Sequence, residues 1–105
     1  ALLAAAAAGQ PDGTRKRAIR ALANLTMAAS NRVPMWDDAH VRNVLLAAAA
    51  AGQPDWAREL AIRALAYLAL TDSNKVLMWE DEQARGVLLA AAAAGQPDGT
   101  RERAI

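Results

Sequence analysis

LLAAAAAGQPD, Leu2 to Asp12, returns unchanged at Leu45 to Asp55 and again at Leu88 to Asp98, a spacing of 43 residues. Self-similarity at a fixed period of about 20 to 50 residues marks stacked supersecondary units rather than one closed globule. Residues 2–43 laid over 45–86 agree at 26 of 42 positions, mostly apolar or turn residues, so the shared set is a scaffold. From Val87 the chain copies its own first 19 residues with two changes, Ala1 to Val87 and Lys16 to Glu102. Trp56-Ala57 stands where the other copies have Gly13-Thr14 and Gly99-Thr100. The stronger similarity therefore runs at 86 residues, as expected of alternating units, a recent duplication or deliberate construction. With no initial Met and a last helix opened only seven residues before Ile105, the chain reads as a fragment or engineered excerpt of a longer array.

The pattern within one unit predicts three helices. After Ser30-Asn31, VPMWDDAHV suits a short helix with Met35 and Trp36 inward, Asn31 as a cap or turn residue, and Asp37 and Asp38 placed near its start for the dipole. A second helix, from about Arg42 to Ala51, is apolar nearly all round, as when neighbours cover both sides. Gly52 then serves as the left-handed terminator, as do Gly9 and Gly95 in the other copies, and Pro54 forbids continuation. Asp55 caps a third helix, Trp56 to about Leu70, with an apolar stripe through Leu60, Ala61, Ile62, Leu65, Leu68 and Ala69, and Thr71 to Asn74 close the unit. The predicted fold is an all-α, right-handed α-solenoid of three-helix repeats filling one domain, 1–105. Its divisions are a partial repeat over 1–30 (second and third helices), a complete one over 31–73, and a partial one over 74–105 with a truncated third helix.

Composition sets the remaining bounds. The 105 residues are 54% apolar but 4% aromatic, with no Phe, so the core must be Leu, Ile, Val and Ala. Burying a Leu or Ile is worth about 1.5–3 kcal/mol, which places stability on Ile19, Leu22, Leu25, Leu45, Leu46, Ile62, Leu65, Leu68, Leu88 and Leu89. Alanine instead promotes helix and lets helices approach. A net charge of +1 with interspersed signs gives no field for nucleic acid or anionic lipid, so neither is an expected partner. No apolar run approaches the ~18 residues of a membrane span. The absence of Cys removes disulfides, thiolate chemistry and the usual zinc sites. The compartment stays open, an intracellular one being expected of a natural chain.

ALANL at Ala21 to Leu25, with Asn31 six residues on in NRVPMW, resembles the armadillo repeat's third-helix signature and the Asn that opens its next unit; ALAYL and NKVLMW repeat the pair. VLLAAAAAGQPD resembles the armadillo second helix and exit turn, so the likeness covers the whole chain. HEAT repeats share the apolar pattern, but three helices per unit and ALxNL favour armadillo. The resemblance implies a concave groove of third helices that holds an extended peptide, with Asn24 at the position whose amide pairs with peptide backbone. Tyr67 replaces the second such Asn, and Arg20 and Arg63 stand where nuclear-import adaptors carry Trp, so a basic localisation signal is not the expected ligand.

Lys16, Arg20 and Asn24 are four apart on one helix face, as are Glu59, Arg63 and Tyr67. Lining a groove, they would suit an acidic or carboxylate-bearing peptide through bidentate contacts to the arginines; the plainer reading is a solvated face with Glu59 supporting Arg63 at i,i+4. Trp56 at a helix start is either an interface anchor or packing over the adjacent unit. Trp36 and its counterpart Trp79 are expected in the core. His40 is matched by Gln83, and the acidic clusters at Asp37-Asp38 and Glu80 to Glu82 have a dipole explanation, so no catalytic, metal or cofactor site is predicted and an enzyme is not expected. The expected function is a non-enzymatic scaffold for protein contacts. It is expected to self-associate into a homo-oligomer through uncapped apolar ends bearing Leu2, Leu3, Leu88, Leu89 and Ile105, the alternative being the peptide groove.

Overall fold

The computed structural model describes residues 2–7 and 10–93 and is helical wherever it forms regular structure. Seven helices follow one another: α1 (Leu2–Ala6), α2 (Asp12–Leu25), α3 (Ala29–Asp37), α4 (Ala39–Ala49), α5 (Asp55–Leu68), α6 (Asp72–Glu80) and α7 (Glu82–Ala92). The bounds of α5, α6 and α7 are those of α2, α3 and α4 moved by 43 residues at both ends, so the sequence period is also the period of secondary structure. Ile105, Gly9, Gly95 and the truncated third helix after Asp98 lie outside the described residues.

Like helices lie in rows. α1, α4 and α7 neighbour one another in order, α2 lies against α5, and α3 against α6. Within a repeat, α3 packs on α4, and α5 on both. The core is the meeting of these rows, with Ile19, Leu22, Leu45, Leu46, Ile62, Leu65 and Leu68 buried. Ala48, Ala57, Ala61 and Ala64 are wholly enclosed too, because a methyl group allows close helix approach.

Local chemistry moves several expected boundaries. α4 begins at Ala39 because Asp38 caps it, its carboxylate accepting from the His40 and Val41 amides at 2.9 and 3.2 Å. Asp37 and Asp38 therefore sit at the end of α3, not its start, and Asp81 repeats the device with the Ala84 amide at 2.9 Å. Asp55 is the first residue of α5 and makes no side-chain cap; Pro54 holds the N-cap position, and Asp55 pairs with Arg58 at 3.6 Å. Asp72 to Asn74 open α6 instead of forming a closing turn. Gly52 has φ +91°, the left-handed backbone expected of it, two residues beyond the C-cap Ala50.

Asn31 lies inside α3, and its amide donates backward to the Leu25 carbonyl at 2.9 Å, capping the end of α2. Orphan carbonyls at a helix end need such a donor. Asn74 repeats this on Leu68 at 2.9 Å and uses its second N–H on the Arg32 carbonyl, also at 2.9 Å, which ties α6 to α3.

Not every expected core residue is inside. Leu25 is 45% exposed while its counterpart Leu68 is fully buried, and Leu89 is 61% exposed while Leu46 is at 1%. Trp79, expected in the core with Trp36, is 64% exposed against 3%. Trp36, Leu46 and Leu68 lie where α3, α4 and α5 close on one another; no described helix closes over the counterparts.

Candidate functional site

Two surfaces bring candidate residues together. The first is the face of α2 and α5, which lie side by side. Lys16, Arg20 and Asn24 are exposed on α2, whereas Glu59, Arg63 and Tyr67 on α5 are half-buried. Arg63, Ala66, Tyr67 and Leu70 line a cavity of about 230 Å³, to which the α2 residues do not contribute. The Arg63 Nε is buried with no hydrogen-bond partner. The expected Glu59–Arg63 ion pair is not formed; the ion pairs among the described residues are Arg58–Asp55 and Lys75–Asp72.

Arg32, which sequence reasoning passed over, completes this face. Its Nε and Nη2 donate to the Thr26 and Met27 carbonyls at 3.0 and 3.1 Å, a cation at the C-terminal end of α2, and its guanidinium lies 5.9 Å from the Tyr67 ring centre. The signal for it was weak: a basic residue follows both Asn31 and its counterpart Asn74, as Arg32 and Lys75.

Trp56 is half-buried against the core. Arg15, itself buried, lies 5.7 Å from the Trp56 ring centre, donates from Nη2 to the Gln53 side-chain oxygen at 2.9 Å, and points Nε at the Ala6 carbonyl at 3.4 Å. A buried guanidinium is tolerated only when its donors are met, and here they join α1, α2 and the turn before α5. The half-buried Trp56 ring thus lies beside Arg15 of α2.

The second surface lies on α6 and α7. Met78 and Trp79 from α6, and Leu88, Leu89 and Ala92 from α7, line a cavity of about 370 Å³ rimmed by Lys75 and Arg85 and reaching Ala69. Arg85 holds the corner by lying 5.3 Å from the Trp79 ring centre while its Nη1 donates to the Trp79 carbonyl. Arg42 does the same for Trp36, at 5.5 Å from the ring centre and 2.8 Å from the carbonyl. The W-x5-R spacing in both copies was the available signal for this clamp.

Of the residues assigned to self-association, Leu88 and Leu89 meet in this cavity. Leu2 and Leu3 are half-buried against the core, and Leu2 lines a separate hollow of about 300 Å³ with Ala5, Thr14, Arg17 and Ala18.

His40 is exposed, and among the described residues no three His, Cys, Asp or Glu side chains are grouped so as to hold a metal. No described helix is long and apolar enough to cross a membrane. Compared with known proteins, the chain matches no protein-family model, no curated protein and no solved structure.

Proposed function

We propose that the chain is a non-enzymatic scaffold for protein contacts, built as a right-handed armadillo-like α-solenoid, and that it associates with a second copy through the apolar surface of α6 and α7. The observation that carries this reading is the cavity of about 370 Å³ between those helices, with Trp79 and Leu89 both largely exposed beside it. Exposed aromatic and aliphatic side chains gathered in one concave place mark an interaction surface rather than chance exposure. The 43-residue recurrence of helix bounds and the rows of like helices support the solenoid part of the reading.

Light scattering coupled to size-exclusion chromatography over a wide concentration range tests the association. The expected outcome is a mass above that of one 11.1 kDa chain, returning to one chain in Leu89→Glu, which leaves the core untouched because Leu89 faces outward. A folded monomer at every concentration overturns self-association.

The buried, unpartnered Nε of Arg63 favours a second reading, peptide binding along the α2–α5 face. Lys16, Arg20, Arg32 and Arg63 outnumber Glu59 there, which suits an acidic peptide. Replacing Arg20 and Arg63 with Ala should abolish capture of an acidic peptide without changing assembly. A loss of assembly instead refutes the groove.

A further inference from the structure

We infer that the α6–α7 cavity is a seat for an amphipathic helix with the apolar pattern of α5. The inference rests on the reading of this surface as an interface and specifies its occupant.

The argument is residue identity across one period. Met78, Trp79, Leu88, Leu89 and Ala92 line the cavity, and 43 residues earlier stand Met35, Trp36, Leu45, Leu46 and Ala49, the same side chain at all five places. Arg85 is matched by Arg42, and both clamp their Trp in the same way. α3 and α4 meet as α6 and α7 do. The two surfaces therefore carry the same chemistry on the same elements.

Among the described residues, only one of them is covered by a helix. α5 packs on both α3 and α4, and Trp36, Leu45, Leu46 and Ala49 are buried. α5 also packs on α2, and its residues enclosed in the packing are Ala57, Leu60, Ala61, Ile62, Ala64, Leu65 and Leu68, all but Ile62 spaced i, i+3, i+4, i+7, i+8, i+11. That is one stripe of a helix. Leucines at the fourth, ninth and twelfth places fill volume, and alanines between them bring the backbone close.

A surface that accepts this stripe at α3–α4 presents the same side chains to a like stripe at α6–α7. The ligand is thus a helix of about three to four turns bearing Ala and Leu in that order. A flat apolar surface or an extended strand cannot supply it, because neither places side chains at helical spacing. Ala69, the C-cap residue that follows α5, lines one edge of the cavity, so the incoming helix would meet the C-terminal end of α5.

The test uses a fluorescein-labelled peptide of residues 53–70 of this sequence, with acetylated and amidated ends, titrated with the full chain and read by anisotropy. The expected result is saturable binding with a gain of helical circular dichroism, since a peptide this short is marginally helical alone. Leu89→Glu and Trp79→Ala should each weaken it at least about tenfold, as for a residue central to an interface. A peptide with Leu60 and Leu65 replaced by Glu should not bind. Two variants are used so that loss of fold in one, seen by circular dichroism, leaves the other informative.

Absence of binding overturns the inference, and so does binding indifferent to both variants. A chain that stays monomeric yet takes up the peptide refutes self-association and supports the helix seat. A chain that oligomerises but neither binds the peptide nor is dissociated by it keeps the association and refutes the seat.

Discussion

The α3–α4 pair and the α6–α7 pair have helices of the same length, the same Asp cap between them and the same Arg clamp on the same Trp. Yet Leu46 and Trp36 are inside while Leu89 and Trp79 face out. The difference lies in what is set against them: α5 covers the first pair, and no described helix covers the second in the same way. Burial here belongs to neighbouring elements rather than to a segment of sequence.

The sharpest way to break this comparison is to truncate its two leucines. Leu46→Ala should cost about 2–5 kcal/mol of unfolding free energy, the range for a buried Leu that leaves a cavity. Leu89→Ala should stay within about 0.5 kcal/mol, as for a surface change. Urea denaturation of both variants, at a concentration where the chain does not associate, gives the pair of values. Equal losses would mean that Leu89 is covered in solution, and the contrast between the two regions would disappear.

A smaller effect separates the two asparagines. Asn74 is buried and supplies both amide protons to carbonyls, whereas Asn31 is half-buried and supplies one. Asn74→Ala strands the Leu68 and Arg32 carbonyls at an expected cost of about 1–3 kcal/mol, and Asn31→Ala costs about 0.5–1.5 kcal/mol. The same denaturation series decides it, and a reversed order would show that the bond between α6 and α3 adds nothing. The Asn74 side-chain oxygen, buried without a partner, works against the larger figure.

The Asp caps should not distinguish the regions at all. Asp38→Ala removes acceptance from two first-turn amides of α4 and Asp81→Ala from one of α7, each cap worth about 0.5–2 kcal/mol. Similar losses are expected because a cap is satisfied within one turn of chain. A cap strong in α4 and worthless in α7 would mean that local structure in the second region is not independently held.

Much of the helical reading followed from residues and their neighbours along the chain. The helix-rich character, the positions of α5 and its stripe through Leu60, Ile62, Leu65 and Leu68, and the positive φ at Gly52 all rest on local periodicity and turn chemistry. The errors in local detail were of assignment between adjacent elements. Asn31 reads as a cap or turn residue and Asp38 as a dipole residue near a helix start, but which helix a side chain serves depends on which backbone groups lie within reach. The candidate face was legible in part. Arg63 and Tyr67 meet in one cavity, while Arg32 arrives from α3 with no signal stronger than a repeated basic residue.

What the sequence by itself determined is the period, the succession of helices and the chemical identity of the surfaces, because each depends on spacing along one chain. Only the tertiary structure decided which of two like surfaces is core and which is open, that Trp56 stacks with a buried Arg15, and that Asn74 bonds across to Arg32. The physical reason is that burial and long-range hydrogen bonds are relations between segments. A repeat writes the same residues twice, and the neighbour alone makes them different.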